Sequence, residues 1–479
     1  METLKEKTAK GLFWGGLSNG VQQLLNLIFG IFLARMLSQS DYGMVGMLTI
    51  FSAIAGVLQE GGFISAITRK KDVTQRDYNA VFWFNTLVSI ALYALFFACA
   101  PLIAWFYDVP ELTSLARFVF IAFFISSLAI VPGAILYRNL KVREAAIITF
   151  CAQVTSGIVG VSLAACGFAY WGIATQTIVY STVIMIMRFY YTQWHPTLTV
   201  DFAPVKQMIG FSGKLIITGI VNIVNNNVFS VLLGKLYTPR EVGNYTQANK
   251  WNNMGTAVVN SMVGAIAQPV FAKTDDDTVR QKRVFRKLLR FTAFVSFPAM
   301  FGLVLVAREF IVILLTEKWL ESAILMQILC LGGAFTPIAG LFSNLMISRG
   351  HSTAYMWCSI ALCAVQLGAV FVSAPYGINT MISVYVAINI LWIVVWHLLS
   401  HRDINLSLLE VIQDIAPYLL LSATLEGTAW LLTRGITNLY VSVVVKVVYV
   451  AGLYALSLWL LRSTIFMEFI DFLRSRRSH

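Results

Sequence analysis

Across 479 residues the chain is 58% hydrophobic and only 12% charged, with a mean hydropathy of +0.74, where a soluble domain carries about a quarter charged residues. That balance excludes a soluble globular protein. The formal net charge of +12 is spread over many short loops with no compact domain to carry it, so no nucleic-acid partner is expected.

From the N-terminus onward, about fourteen apolar stretches of roughly 20 residues or more are each long enough to cross ~30 Å of hydrocarbon as a helix. They fall near 11–34, 42–67, 80–107, 113–137, 144–166, 168–190, 206–233, 242–272, 288–315, 320–347, 354–374, 377–400, 412–433 and 438–462. A closed β-barrel would need segments of ~10 residues that alternate in polarity, and runs such as "FVFIAFFISSLAIV" do not alternate. The expected fold is an all-α polytopic membrane protein. The start, "METLKEKTAKGLFWGG", has the basic flank and apolar run of a signal peptide, but the run is too long and no A-x-A site follows, so it reads as a retained first span.

Span 1 carries Asn19, Gln22 and Asn26 at spacings of three and four, on one helical face. The turn that follows, "ARMLSQSDYG" at 34–43, recurs 200 residues later as "GKLYTPREVG" at 234–243. Each copy has a hydroxyl (Ser38, Thr238) three residues before an acid (Asp41, Glu241), a signal for the start of a helix, and then a glycine (Gly43, Gly243). The register persists upstream, where Val21 matches Val221, Asn26 matches Asn226 and Phe29 matches Phe229. Span 7 thus repeats the amide face of span 1 with Asn222, Asn225 and Asn226. Six spans separate the copies, so both have the same orientation, as in parallel repeats that place a substrate path between two lobes.

Charges at depth are costly in lipid and therefore informative. Lys214 lies about eight residues into span 7, and Lys250 a similar distance into span 8, within "NYTQANKWNNMGT". Glu60, in the inner half of span 2, is placed to pair with a lysine or to take up a proton, and is the candidate for ion coupling. Arg117, Arg308, Glu426 and Lys446 sit nearer span ends or in later helices and read as snorkelling side chains.

Lysine and arginine resist translocation, and with a cytoplasmic N-terminus about 25 of the 35 cations lie inside and about five outside. The expected organisation is 1–190 as an N-lobe of spans 1–6, 191–205 as a cytoplasmic linker and 206–400 as a C-lobe of spans 7–12. Spans 13–14 occupy 401–462. The tail, 463–479, has Ile465, Phe466, Phe469, Phe472 and Leu473 on one helical face and Arg474, Arg476 and Arg477 after it, the pattern of an interfacial amphipathic helix. The six cysteines show no CxxC or metal-ligand spacing, and the five histidines have no acid at catalytic spacing. No G-x-x-x-x-G-K-[ST] occurs. No cofactor, no metal and no enzymatic activity are expected.

The opening "KGLFWGGLSNGVQQLLNLIFGIFLARMLSQSDYGMVGM", with "GGFISAITRK" closing span 2, resembles the polysaccharide-biosynthesis flippases of the multidrug/oligosaccharidyl-lipid/polysaccharide exporter superfamily, of the Wzx and WzxC type. The resemblance implies a V-shaped pair of lobes that alternates access and moves a polyprenyl-diphosphate-linked oligosaccharide from the cytoplasmic to the outer leaflet of the bacterial inner membrane. Fourteen spans also resemble the lipid II flippases of that superfamily, in which the last pair adds a groove for the lipid tail. The implied partners are the lipid-linked oligosaccharide, membrane lipids, and the glycan polymerase and glycosyltransferases of the same pathway. For such a cargo, Lys250 and Lys214 are suitable counter-ions to a diphosphate. Gln22, Asn26, Asn222, Asn225, Asn226, Asn249 and Asn252 suit sugar hydroxyls, and Trp251 suits a sugar ring. Two alternatives remain: an ion-coupled multidrug antiporter of the same superfamily, kept open by Glu60, and a membrane-embedded glycan polymerase or ligase.

Overall fold

The computed structural model describes the backbone of residues 4–60, 67, 70, 72–198, 201–273, 277–463 and 465–468, and the side chains of most of these. The helices are α1 (Leu4–Met36), α2 (Gln39–Glu60), α3 (Gln75–Tyr107), α4 (Leu112–Val119), α5 (Ile121–Leu128), α6 (Ile130–Arg138), α7 (Val142–Ala165) and α8 (Tyr170–Thr192). After the linker come α9 (Ala203–Leu236), α10 (Pro239–Lys273), α11 (Thr278–Leu315), α12 (Leu320–Gly333), α13 (Thr336–Ser348), α14 (Ser352–Ser373), α15 (Ile378–Ile404), α16 (Leu408–Thr433) and α17 (Leu439–Leu460). No strand occurs among the described residues. The protein is an all-α polytopic membrane protein.

Among the described residues ten helices are long and apolar enough to cross a membrane, or eleven with the bent span Leu112–Arg138, which turns by 42° between α5 and α6. α12 and α13 together make one of the ten. The spans expected at 11–34, 206–233 and 242–272 lie on α1, α9 and α10, whose side chains are only partly described. Of the amphipathic tail, residues 469–479 lie outside the described residues.

The repeated turn is a reciprocal helix cap in both copies. Asp41 accepts the Ser38 N–H at 2.8 Å, while the Asp41 N–H donates to Ser38 Oγ at 3.2 Å. Glu241 accepts the Thr238 N–H at 3.0 Å, and the Glu241 N–H donates to Thr238 Oγ1 at 3.5 Å. Each box satisfies backbone donors that the first turn of a helix leaves without partners.

The chain divides into two compact units, Met1–Gly243 and Asn244–His479. In the first, α1 packs on α7 and α7 on α8 through small residues: a Cβ on Gly172 would meet the Gly160 carbonyl at 3.0 Å, the close approach that glycine permits between membrane helices. α9 packs on α2 and α3, which carries the first unit past the linker. The two capped turns then meet. A Cβ on Gly43 would collide with the Pro239 carbonyl, and one on Gly243 with the Gln39 carbonyl. Positions 39, 43, 239 and 243 therefore make a reciprocal crossing with the offset of 200 that relates the two copies. The linker itself is fastened to the start of α3: Trp194 donates to Gln75 at 2.7 Å, Trp83 donates to the Thr197 carbonyl at 2.8 Å, and Arg76 donates to Asp201 at 2.6 Å. The Ala203 N–H, helped by Arg76, holds the Asp201 carboxyl below the usual carboxylate range.

In the second unit α11 is the hub and packs on α12, α13, α15, α16 and α17. Its buried face includes Phe285, Leu289, Phe297, Met300 and Ile311.

Candidate functional site

The polar segment of α10 sits against α11 and α12 because glycines let it approach. A Cβ on Gly255 would meet Leu303 at 2.8 Å and Met300 at 3.0 Å, and one on Gly333 would meet Asn252, Met300 and Thr256. Lys250 lies about 17 Å along α10 from Pro239, at 1.5 Å per residue. Its Nζ is 5.9 Å from the centroid of the Trp251 ring, within the reach of a cation–π contact. Phe310 braces that ring edge-on at 4.9 Å.

On the same stretch of α10 hydrogen-bonding capacity is unspent. Among the described residues both amide atoms of Gln247, Nε1 of Trp251 and Oδ1 of Asn252 are buried without a hydrogen-bond partner, the Asn252 oxygen packed against Gly333. Each such group costs about 1–3 kcal/mol relative to a satisfied one, and groups of this kind in a native chain call for an explanation. Among the described residues no carboxylate pairs with Lys250. A cation beside free donors and acceptors is complementary to an anionic, hydroxyl-bearing group.

Of the residues singled out from the sequence, Asn249, Lys250 and Trp251 are consecutive on α10, the first two half-buried and Trp251 only 4% exposed. Trp251 therefore presents no open ring face in this conformation and acts as the wall beside Lys250. Gln22 and Asn26, in the first unit, are half-buried on α1. The side chains of Glu60, Lys214, Asn222, Asn225 and Asn226 lie outside the described residues. Asn227 beside them spends its amide on the Ile223 carbonyl of its own helix, at 2.9 Å.

The snorkelling expectation fails for two residues. Lys446 is 5% exposed and donates to Glu309 Oε1 at 2.5 Å and to the Leu305 carbonyl at 3.1 Å, while Ser442 donates to the same carboxylate at 3.0 Å. Glu426 is 7% exposed. The physical reason is that lipid inverts the usual burial pattern, so α16 turns Asp414, Tyr418, Ser422, Glu426 and Thr433 inward and Leu409, Ile412, Leu420 and Leu431 outward. The four-residue spacing of Asp414, Tyr418, Ser422 and Glu426 was the available signal. Arg308 stays exposed, and Arg117 lies 4.2 Å over the Phe97 ring, as snorkelling side chains do. Sequence reasoning also passed over Asn85 and Ser89 on α3, fully buried with no partner for either amide atom or for the hydroxyl.

These helices define a membrane-transporter architecture. The chain is similar to the lipid II flippase MurJ in an inward closed conformation, with a TM-score of 0.74 at 15% identity, over 93% of this chain and 99% of that one. Residues 32–324 match the family described as polysaccharide biosynthesis protein, and the chain belongs to that family. It is 24% identical over 427 residues to the teichuronic acid biosynthesis protein TuaB of Bacillus subtilis (strain 168), covering 88% of each chain. It is also 24% identical over 356 residues to the lipopolysaccharide biosynthesis protein WzxC of Escherichia coli (strain K12), covering 73% of this chain and 71% of that one. The family resemblance carried by the opening stretch holds.

Proposed function

We propose that the protein is an alternating-access transporter that flips a polyprenyl-diphosphate-linked oligosaccharide from the cytoplasmic to the outer leaflet, for the synthesis of an O-antigen, capsule or exopolysaccharide. The observation that carries this reading is Lys250, a lysine with no carboxylate partner among the described residues, set in unsatisfied polar groups deep in a helix of a polysaccharide biosynthesis protein. Its ammonium neutralises part of the diphosphate, whose charge hydrocarbon does not accommodate. Asn249, Gln247 and Asn252 beside it offer donors and acceptors to sugar hydroxyls. Lys214, Gln22, Asn26, Asn222, Asn225 and Asn226 complete the binding surface, and Glu60 takes part in ion coupling. The reading places 1–190 and 206–400 as the two lobes, with all fourteen expected spans in the inner membrane and both termini cytoplasmic. The glycan polymerase and glycosyltransferases of the pathway act on either side of the step. Similarity to teichuronic acid and lipopolysaccharide biosynthesis proteins, and to a lipid II flippase in fold, supports a lipid-linked glycan as cargo.

The test is reconstitution in proteoliposomes with a fluorescent polyprenyl-diphosphate disaccharide and an impermeant quencher added outside. Protein-dependent growth of the quenched fraction beyond the outer-leaflet share is expected. Efflux of cationic dyes with no movement of the lipid would replace this reading with the multidrug antiporter.

A further inference from the structure

At the N-terminal end of α11, Lys282, Arg283, Arg286, Lys287 and Arg290 fall at i, i+1, i+4, i+5 and i+8, one face of the helix. They line a cavity of about 390 Å³ closed on its apolar side by Val279 and Ile465. A second cavity, of about 350 Å³, shares Arg286 and Arg290 with the first and continues past Gln413, Asp414, Tyr418 and Ser463 to Pro417, Leu421, Leu458 and Leu461. Joined through Arg286 and Arg290 they make a groove that is basic at one end and mixed at the other, where Pro417, Leu421 and Leu461 supply apolar surface beside Gln413 and Ser463.

The charge in the groove is only partly balanced. Asp414, 2% exposed at its side chain, holds Arg286 at 2.7 Å and Arg290 at 2.6 Å, and Glu410 holds Lys282 at 2.8 Å. These bridges fix the guanidinium planes. Among the described residues Lys287 pairs with Glu468 alone, at 2.7 Å, with both side chains more than half exposed, a bridge of the kind worth little in water. Arg283 pairs with no carboxylate among the described residues. Five cations thus face three acids, and the two exposed cations are Arg283, with no carboxylate among the described residues, and Lys287, in its exposed pair.

We infer that this groove binds an anionic glycerophospholipid of the surrounding leaflet, its phosphate held by Arg283 and Lys287 and an acyl chain laid along Pro417, Leu421 and Leu461. A free phosphate would use only the basic end, whereas the apolar side chains beyond it, Pro417, Leu421 and Leu461, call for a ligand with a hydrocarbon tail. With the N-terminus cytoplasmic, as proposed above, this end of α11 lies at the inner leaflet, where basic sites between helices meet acidic headgroups.

The experiment needs no transport. Full-length protein purified in a delipidating detergent is offered phosphatidylglycerol, phosphatidylethanolamine or undecaprenyl phosphate, and bound lipid is counted by native mass spectrometry. Wild type should retain phosphatidylglycerol over phosphatidylethanolamine, and the double variant R283Q/K287Q should lose affinity for it on the order of tenfold, the effect of removing two cations from beside an acidic headgroup. Leu421→Trp, which fills the far end of the groove and leaves every cation in place, should lose the same lipid. Equal retention of the two phospholipids overturns the inference. So does unchanged retention in either variant, or displacement of phosphatidylglycerol by undecaprenyl phosphate, which would make the groove a cargo site.

Discussion

Two lysines of the second unit, Lys446 buried and Lys250 half-buried, lie in helices of a membrane protein, and they have opposite surroundings. Lys446 donates to Glu309 and to the Leu305 carbonyl, and Ser442 fills a further site on the same carboxylate. Lys250 has an aromatic ring at 5.9 Å and, among the described residues, no acid. Gln247, Trp251 and Asn252 beside it hold polar atoms with no partner. A buried charge whose counter-charge is supplied by the fold is part of the fold; one whose counter-charge the fold omits is set for a ligand. The difference also separates the helices: α17 uses its polar groups to dock on α11, while α10 spends Asn244 on Glu321 and Ser322 but leaves polar atoms of Gln247, Trp251 and Asn252 without a partner among the described residues.

The largest effect should come from breaking the paired site. Lys446→Ala leaves the Glu309 carboxylate buried without its cation, and removing one partner of such a pair costs about 3–5 kcal/mol. Thermal unfolding in detergent should show a large drop in Tm, and the double variant K446M/E309L should recover most of it, since an apolar pair of similar volume is often neutral. If Lys446→Ala unfolds as wild type does, the pair is not structural and the contrast with Lys250 collapses.

Lys250→Ala should do the reverse. Removing a cation whose partner is the cargo should lower lipid flux in proteoliposomes on the order of a hundredfold, the scale of truncating one side of a buried charge pair, while leaving Tm near that of wild type. Lys250→Arg should keep part of the flux. Wild-type flux in the alanine variant, or a loss of Tm like that of Lys446→Ala, would make Lys250 a structural lysine after all.

What the sequence disclosed follows from which interactions are local. The apolar runs predict helices, and over their described residues the expected spans lie on them. The S-x-x-D and T-x-x-E signals are caps because donor and acceptor are three residues apart. The offset of 200 led to Gly43 and Gly243, though only the fold shows that the two turns cross at those glycines. The Glu309–Lys446 pair was illegible because its members are 137 residues apart and Lys446 alone looks like a snorkelling side chain on its own helix. The compact-unit boundary after Gly243 was equally hidden, since it depends on α9 packing against α2 and α3. The isolation of Lys250 was half legible: "NYTQANKWNNMGT" is too polar to face lipid, but whether an acid from another helix would neutralise the lysine is a tertiary fact.

The smallest effect tests the wall of the open site. Trp251→Phe keeps an aromatic ring against Phe310 and removes Nε1–H, a buried donor with no partner. Deleting a donor that makes no hydrogen bond removes a desolvation penalty, which offsets the loss of ring area. The stability change should therefore stay within about 1 kcal/mol. The phenyl ring holds a cation less strongly than indole, and since a whole exposed cation–π contact is worth about 0.5–1 kcal/mol, flux should fall by no more than roughly two- to fivefold, with the loss falling on cargo affinity. Tm and a flux titration against cargo concentration read the two quantities separately. A destabilisation of several kcal/mol would mean that Nε1 is satisfied in the membrane, and that the polar atoms around Lys250 belong to the fold in the way that Glu309 and Ser442 do.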